Sequence, residues 1–247
     1  MKFTVHFMAV ALLLCGHLSY GAEVKKDIDQ DEGKSATSGA VEVIYPASNL
    51  KSDTYVPGEE WELAWSDEFD GDTLNEANWN RQVVSAGKFN EEWQAYTDRE
   101  DNARVEGGCL VIRALHKSTE HGHDQYTSAR LNTAGKQTFK YGKIAARMQL
   151  PYGEGIWPAF WMLGANCNEN GGDTPWPQCG EIDIMEFYGS KSDAAVEANI
   201  HSADADGEHQ QMGAVAFQLE SGMFADQFHV FEIEWDERRI SWKVDGK

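Results

Sequence analysis

The chain has 247 residues and is strongly acidic, with 41 Asp and Glu against 21 Lys and Arg and a formal charge of −20. This charge argues against a nucleic-acid partner, because the phosphates would be repelled over the whole surface. Hydrophobic residues make up 41 % of the chain, which is enough for a folded core. Nine Trp, 11 Phe and 8 Tyr suit either that core or a surface on which sugar rings stack.

The N-terminus predicts an exported protein. Lys2 and the apolar run 3–14 are typical of a secretory signal peptide, and the run is too short to span a bilayer. Ser19 and Gly21 are small residues at the −3 and −1 positions of a cut after Gly21. We therefore expect a signal peptide over residues 1–21 and no transmembrane segment.

A lipid anchor at Cys15 is the alternative at this end, although Leu14 stands where that motif prefers a small residue. Both interpretations place the protein outside the cell or in the periplasm. Residues 22–40 are polar and lack periodicity, so they predict a flexible acidic linker before a domain over 41–247. We expect that domain to be a monomer.

Cysteine usage predicts no disulfide framework. Export permits disulfides, and Cys167 and Cys179 bracket a loop rich in Gly, Pro and Asn across which they could pair. Cys109 begins a predicted strand and is expected to be a buried free thiol. The spacing does not suit a zinc site.

Alternating apolar residues predict an all-β protein. The pattern is clear at 110–114, 144–150, 231–235 and 240–244, where apolar side chains alternate with polar ones. Period-two segments separated by Gly, Asn and Asp turns are typical of half-buried antiparallel strands in a sandwich or barrel.

The last residues predict a hairpin turn. Asp245-Gly246 follows the strand 240–244, and this dipeptide is a strong hairpin signal. A returning strand is expected just after Lys247, so we interpret the domain as incomplete at its C-terminus.

Three acids lie within one predicted strand, residues 181–186. Glu181 and Asp183 share a face, and one residue bulged at Ile184-Met185 would bring Glu186 to the same face. Carboxyls crowded in this way raise one another's pKa, so that one stays protonated beside an ionised one. That arrangement suits glycoside hydrolysis. An exposed polar strand edge and a calcium site remain the alternatives.

Aromatic residues surround this strand in the sequence. Trp157 and Trp161 are four residues apart and could share a face on which pyranose rings stack, although burial in the core is the commoner fate of Trp. Trp176 lies in a Pro-Trp-Pro loop just before the acids and is expected at the rim of a cleft.

Together these features resemble glycoside hydrolase family 16. Residues 181–186 match the E-x-D-x-x-E signature of that family in its bulged form. Further matching blocks occur in the family's order from Trp61 to Lys247, and they are residues 65–71, 74–75, 78–79, 126–130, 155–163 and 228–235.

The resemblance implies a β-jelly-roll sandwich whose concave sheet forms an open substrate cleft. It implies that Glu181 is the nucleophile, that Glu186 is the general acid/base and that Asp183 tunes the nucleophile. The mechanism would be retaining, through a covalent glycosyl-enzyme, and no cofactor would be required.

The resemblance also suggests residues that contact sugars. These are Arg130, Trp157 and Trp161, with Asn90, Glu92 and Gln94 nearby and Trp176 at the rim. Glu91 stands where the family often has Asn, which puts that contact in doubt. His201 falls on a strand that often lines the cleft, with an exposed position as the alternative. Some members bind structural calcium, for which Glu68 and the carbonyl of Gly107 or Gly108 are the candidates.

The substrate implied by the resemblance is a β-1,3-glucan or a mixed β-1,3/1,4-glucan, because block 155–163 and the bulged signature most resemble the laminarinase branch. A marine galactan is the first alternative, and the acidity of the chain argues against sulfated ones. A non-catalytic glucan-recognition protein is the second, although such relatives typically lose a catalytic acid.

Overall fold

The structure is a computed structural model that describes residues 1–9, 12–15, 23–25, 61–118 and 124–247. Within these ranges there is no α-helix, and no helix could cross a membrane. One 3-10 turn spans Asn168–Asn170. The all-β prediction is therefore confirmed for the described residues.

The strands are, in chain order, β1 (Phe3–Ala9), β2 (Leu12–Cys15), β3 (Glu23–Lys25), β4 (Trp61–Leu63), β5 (Asn80–Arg81), β6 (Gln94–Tyr96), β7 (Ala103–Val105), β8 (Cys109–Ile112), β9 (Leu115–Ser118), β10 (Asp124–Asn132), β11 (Gly142–Met148), β12 (Ala159–Gly164), β13 (Glu181–Glu186), β14 (Ala195–Ala203), β15 (His209–Gln218), β16 (His229–Trp235) and β17 (Ile240–Val244).

The largest sheet has the order β15-β14-β13-β12-β1-β10-β5, with β6 and β9 also paired to β10. Its neighbouring strands are antiparallel except for the parallel pair β6 and β10. A second sheet has the order β11-β16-β17. Two smaller sheets are formed by β2, β8 and β7 and by β3 and β4.

One apolar core joins the two main sheets. Phe160 and Ile182 of the large sheet belong to the same buried cluster as Ile144, Phe231 and Ile233 of the second sheet. Burying one face of each sheet against the other is the stable way to remove those faces from water. The described chain is thus a β-sandwich, and the large sheet carries the acidic strand β13.

The second sheet is buried more deeply than its alternation predicts. Lys143 and Glu232 are charged residues on the polar side of these alternating strands, yet their side chains are 3 % and 0 % exposed. Both β2 and β3 contact β11, and the Lys143 ammonium lies 5.2 Å from the ring of Trp61. Other segments of the same chain therefore cover this face of the sheet. Lys243 lies 3.7 Å from Glu232, whose pKa burial raises to about 7.

The segment predicted to be a leader forms a strand in the structure. β1 lies between β10 and β12, and Val5 is fully buried there. A short apolar run fits a signal peptide as well as a strand that is buried on both faces, so the pattern alone does not separate them. Of the predicted linker 22–40, residues 23–25 form β3 and the others lie outside the described residues, as do 41–60 of the predicted domain.

Cys109 corrects one expectation. It was predicted to be a free thiol, but it is disulfide-bonded in the structure. The prediction assumed that Cys15 leaves with the leader, which gives the mature chain an odd number of cysteines.

The predicted hairpin turn is present. Asp245 and Gly246 have φ of 51° and 76°, the two positive values that a type I′ turn needs. Val244 and Lys247 exchange both backbone hydrogen bonds across it, at 3.2 and 3.1 Å. Continuation of the domain beyond this turn stays a prediction.

The N-terminal segment is either a cleaved signal peptide or the permanent strand β1. Exporting the full chain and measuring the intact mass of the product separates these two roles. We expect the product to begin at Ala22, because Ser19 and Gly21 provide the small residues of a cleavage site. A Cys15→Ser variant is the control for lipid attachment, which would instead leave a heavier product beginning at Cys15. A mature protein that retains Phe3–Ala9 would contradict the predicted cleavage and support β1 as a permanent strand.

Candidate active site

A bulge in β13 brings the three acids together. Pairing with β14 runs in register from Glu181↔His201 to Asp183↔Asn199 and then shifts before Glu186↔Glu197. The shift lies at the position where the sequence predicts the extra residue. Pairing with β12 shifts at the same level, between Phe160 and Trp161.

All three carboxyls line a cavity of about 690 Å³, here called the main cavity. Of the other residues predicted to contact sugars, five also line it, namely Asn90, Arg130, Trp157, Trp161 and Trp176. Glu92 and His201 are not among the lining residues, and neither are Glu68 and Gly107. Most residues predicted to contact sugars thus converge on one site, and Glu92, Gln94 and His201 lie outside its lining. Glu68 and Gly107 were predicted for a separate calcium site and were not expected there.

Glu186 is held by three hydrogen-bond donors. Its Oε1 accepts from the indole N–H of Trp157 at 3.1 Å and from the Tyr188 hydroxyl at 2.7 Å. Its Oε2 accepts from the side-chain amide of Asn199 at 2.7 Å. With both oxygens engaged and 6 % exposure, this carboxyl has a fixed orientation.

Glu181 accepts a hydrogen bond from the indole N–H of Trp176 at 3.1 Å, through Oε2. Burial is the main cause that raises the pKa of Glu181 to about 8, and the neighbouring charge of Asp183 adds to it. The site is therefore poor in water and crowded with like charges, two conditions that favour a retained proton.

Asp183 lies between the two glutamates and is 3 % exposed. Burial and the charge of Glu186 hold its pKa well above the usual range, while a hydrogen bond to Glu181 acts in the opposite direction. The carboxyl group with the least access to water is the one for which ionisation costs most. We assign one retained proton to the pair of Glu181 and Asp183, which share a hydrogen bond; when the proton lies on Asp183, that group donates the bond to an ionised Glu181.

Two imidazoles support Asp183 from the side of β14 and β15. The Nε2 of His201 lies 3.2 Å from Asp183 Oδ2, and its Nδ1 lies 2.8 Å from the Nε2 of His209. The ring of Trp176 lies 4.7 Å from that of His209. His201 thus contacts the acid cluster itself, and its expected place among the cavity-lining residues is not observed.

Arg130 is buried at 4 % exposure and forms an ion pair with Glu169. Its guanidinium lies 4.6 Å from the ring centre of Trp161, which is 6 % exposed. Trp161 is therefore largely a core side chain that supports Arg130, as the alternative interpretation allowed. Trp157 is half-buried and stacks on Tyr188 at 5.2 Å, and Trp176 is 45 % exposed at the rim.

The turn 90–92 contains two residues with positive φ, Asn90 at 48° and Glu91 at 56°. Glu92 accepts hydrogen bonds from the Tyr96 hydroxyl at 2.6 Å and from the Gln94 amide at 3.1 Å. These contacts turn Glu92 away from the main cavity. Direct contact between Glu92 and a substrate there is thus not supported by the geometry.

The thiols of Cys167 and Cys179 lie side by side under the loop that carries Trp176. They are free, and their Sγ atoms are 2.7 Å apart. Burial and the neighbouring Cys167 raise the pKa of Cys179. The disulfide between them stays a prediction.

The acid cluster does not suit calcium. In the described part of the chain, the group of potential ligands found within 4.8 Å of one another comprises Glu181, Asp183 and His201. Calcium prefers a shell of oxygen ligands, so the imidazole makes this set unsuitable for it. Calcium at Glu68 and Gly107 stays a prediction.

Sequence reasoning missed several residues that lie around the acids. Tyr188 lies two residues after the predicted Glu186, and Asn199 lies two residues before the predicted His201. Residues two apart in an extended chain face the same side, so the sequence could have indicated both. His209, Glu169 and Trp242 carry no such signal. The indole N–H of Trp242 donates to the backbone carbonyl of Asp183 at 2.9 Å from the opposite sheet.

The raised pKa of Glu181 predicts a pH-dependent stability. Between its ordinary value of 4.5 and about 8, the folded protein binds more protons than the unfolded chain, so wild-type stability falls as the pH rises through this window. Glu181→Gln cannot ionise and should be the more stable protein at pH 8 by a few kcal/mol, at about 1.4 kcal/mol per pKa unit. Below pH 4.5 the difference should disappear.

Urea unfolding of both proteins across this pH range checks the prediction. Glu220→Gln, at an exposed position, is the matched control and should follow the wild type at every pH. Parallel stability curves for Glu181→Gln and the wild type would show that Glu181 ionises normally.

Known proteins resemble this chain in sequence. A profile of the family described as "Glycosyl hydrolases family 16" matches residues 89–247. A beta-glucanase of Rhodothermus marinus is 39 % identical over 211 residues, which cover 85 % of this chain and 71 % of that protein. A glucan endo-1,3-beta-glucosidase A1 of Niallia circulans is 35 % identical over 198 residues, and the match covers 75 % of this chain but 28 % of that longer protein.

The fold is similar as well. The catalytic domain of an endo-1,3-beta-glucanase (laminarinase) from Thermotoga petrophila matches with a TM-score of 0.64 and 42 % identity, over 77 % of this chain and 76 % of that domain. The sandwich described above is thus the β-jelly roll that the family resemblance implied. By its sequence and by its fold, this chain belongs to glycoside hydrolase family 16.

Proposed function

We propose that the protein is a retaining endo-glycoside hydrolase that cleaves β-1,3 linkages in laminarin-like glucans or in mixed β-1,3/1,4-glucans. The observation that carries this proposal is the bulged strand, which presents Glu181, Asp183 and Glu186 to one cavity. The relatives named above, a beta-glucanase and two endo-1,3-glucanases, support the substrate class.

The first chemical step is assigned to the two glutamates. The carboxylate of Glu181 attacks the anomeric carbon as the bond to the leaving oxygen breaks, and Glu186 gives that oxygen its proton. A covalent glycosyl-enzyme results. Glu186, now ionised, then takes a proton from water, which attacks the same carbon and releases Glu181.

Asp183 and its neighbours tune the nucleophile. A proton on Asp183 allows it to donate to the ionised Glu181, and the indole of Trp176 donates to the same carboxylate. His201 stands 3.2 Å behind Asp183, where it can orient that carboxyl. These groups need no cofactor for the two steps.

The charge around the main cavity favours a neutral substrate. Its lining contains four acids, the three of β13 and Glu169, against Lys88 and Arg130. Arg130 is already paired with Glu169. With Arg130 engaged in this pair, the lining offers little positive charge to a sulfate group, so a neutral glucan is the better fit.

We also propose that the protein is exported, with or without a lipid anchor, because its N-terminus predicts a signal peptide. The substrate is a polysaccharide, which an enzyme acting outside the cytoplasm can reach. We propose action as a monomer, because the three acids and the donors that orient them belong to one chain.

The test is release of reducing ends from laminarin, from a mixed-linkage glucan and from agarose. We expect product from the two glucans only. Glu181→Gln should lose roughly 10³-fold or more of the activity, because it lacks the nucleophile, while Glu220→Gln should behave as the wild type. Binding of laminarin without product from the wild type would indicate a glucan-recognition protein and overturn the proposal.

The stereochemistry of the first product tests the mechanism separately. Proton NMR at early times should show the β-anomer, since two displacements at one carbon restore its configuration. An initial α-anomer would mean a single displacement by water, and the assignment of Glu181 as nucleophile would be wrong.

A further inference from the structure

Two cysteines that the proposed mechanism does not use lie at the two ends of the loop 168–178. Cys167 and Cys179 are 1 % and 0 % exposed, and they are the free cysteines of the described residues. Their Sγ atoms lie 2.7 Å apart. At that separation, a bond between the two sulfurs requires only a small movement of the side chains.

The loop between these cysteines contributes two residues to the main cavity. Glu169, near its start, forms the ion pair with the buried Arg130. Trp176, near its end, donates its indole N–H to Glu181 at 3.1 Å. The ion pair therefore anchors the first half of the loop, whereas the second half carries the donor to the proposed nucleophile.

Packing alone holds this loop weakly. Within 168–178 only Pro177 is buried, and Trp176 is 45 % exposed. The backbone N–H of Asn168 donates to the carbonyl of Thr174 at 2.8 Å, which closes the loop near its start. Exposed segments with few buried apolar side chains open most readily. A covalent link between the ends of such a loop removes many of its open conformations.

Both sulfurs are sheltered once the loop has folded over them. Burial is the main cause that raises the pKa of the Cys179 thiol, and the adjacent Cys167 adds to it. A thiol that stays protonated is a weak nucleophile. We therefore expect a bond between the pair to form before the loop packs and to resist exchange afterwards.

We propose that Cys167 and Cys179 form a disulfide that positions Trp176 against Glu181. In the bond-forming step each sulfur loses its proton and the two sulfurs join. The two electrons reduce the disulfide of an oxidised thiol–disulfide oxidoreductase, or of oxidised glutathione, to two thiols. The proposal rests on the proposed export for an oxidising compartment and on the proposed hydrolysis for its kinetic test.

The first experiment maps the link chemically. The full chain is refolded in a mixture of reduced and oxidised glutathione, free thiols are blocked by alkylation, and the digested protein is analysed by mass spectrometry. We expect a cross-linked product that joins the peptide of Cys167 to the peptide of Cys179. Alkylation of both cysteines, or a link from either of them to Cys109, would overturn the proposal.

The second experiment compares the linked wild type with the double variant Cys167→Ser/Cys179→Ser by amide hydrogen exchange. Without the link, residues 168–178 should exchange faster, while the neighbouring strand β12 should keep its protection. Wild-type protein refolded under reducing conditions gives the same comparison without a substitution. Cys109→Ser is the matched control, because Cys109 is equally buried but lies in β8, and it should leave exchange in the loop unchanged.

Hydrolysis of laminarin separates positioning from general stabilisation. Loss of the link should lower kcat/KM about tenfold, the effect of one hydrogen bond to a charged group. Trp176→Phe removes the N–H donor and should cause the same loss, and adding the two serines to it should cause no further loss.

Equal exchange with and without the link, or additive losses of kcat/KM, would show that the link does not act through Trp176 and would overturn the proposal. The linkage map and the exchange rates do not depend on catalysis. A wild type that hydrolyses no glucan but carries the link and protects the loop would therefore refute the proposed reaction and support the disulfide.

Discussion

The site depends on one extra residue in β13. In a regular strand the side that carries Ile182 and Ile184 would also carry Glu186, and a carboxyl would then enter the apolar core. The bulge lets Ile184 and Met185 both join the core, at 5 % and 0 % exposure, and turns Glu186 to the cavity. The free energy of burying those apolar side chains therefore fixes the position of the acid. Trp242 of the second sheet holds the carbonyl of Asp183 at this point.

The acids differ in their surroundings more than in their chemistry. Glu186 meets three donors from three separate segments, whereas Glu181 meets one indole and the charge of Asp183. Identical carboxyls can take different roles when hydrogen bonds and burial separate their protonation behaviour. The bulged strand brings the acids together, and the neighbouring strands and loops distinguish them.

The tryptophans serve several purposes. Trp79 is core and Trp161 supports a buried arginine, while Trp157 and Trp176 donate hydrogen bonds to the two glutamates. Only Trp93 offers most of its surface to solvent. An interpretation of all aromatic residues near the acids as stacking surfaces is therefore too simple, because an indole has an N–H as well as a face.

Local pattern was enough to predict several strands, the bulge in 181–186 and the hairpin turn at Asp245-Gly246, because side-chain alternation and turn conformation depend on near neighbours in the chain. It did not separate a leader from a buried strand at Phe3–Ala9, since both are short apolar runs. The burial of Lys143 and Glu232 depended on segments far away in sequence. The same holds for the donors to Glu186, 29 and 13 residues away at Trp157 and Asn199. The sequence by itself determined which acids meet, and the tertiary structure decided what each acid touches, because only packing brings distant strands within hydrogen-bond reach.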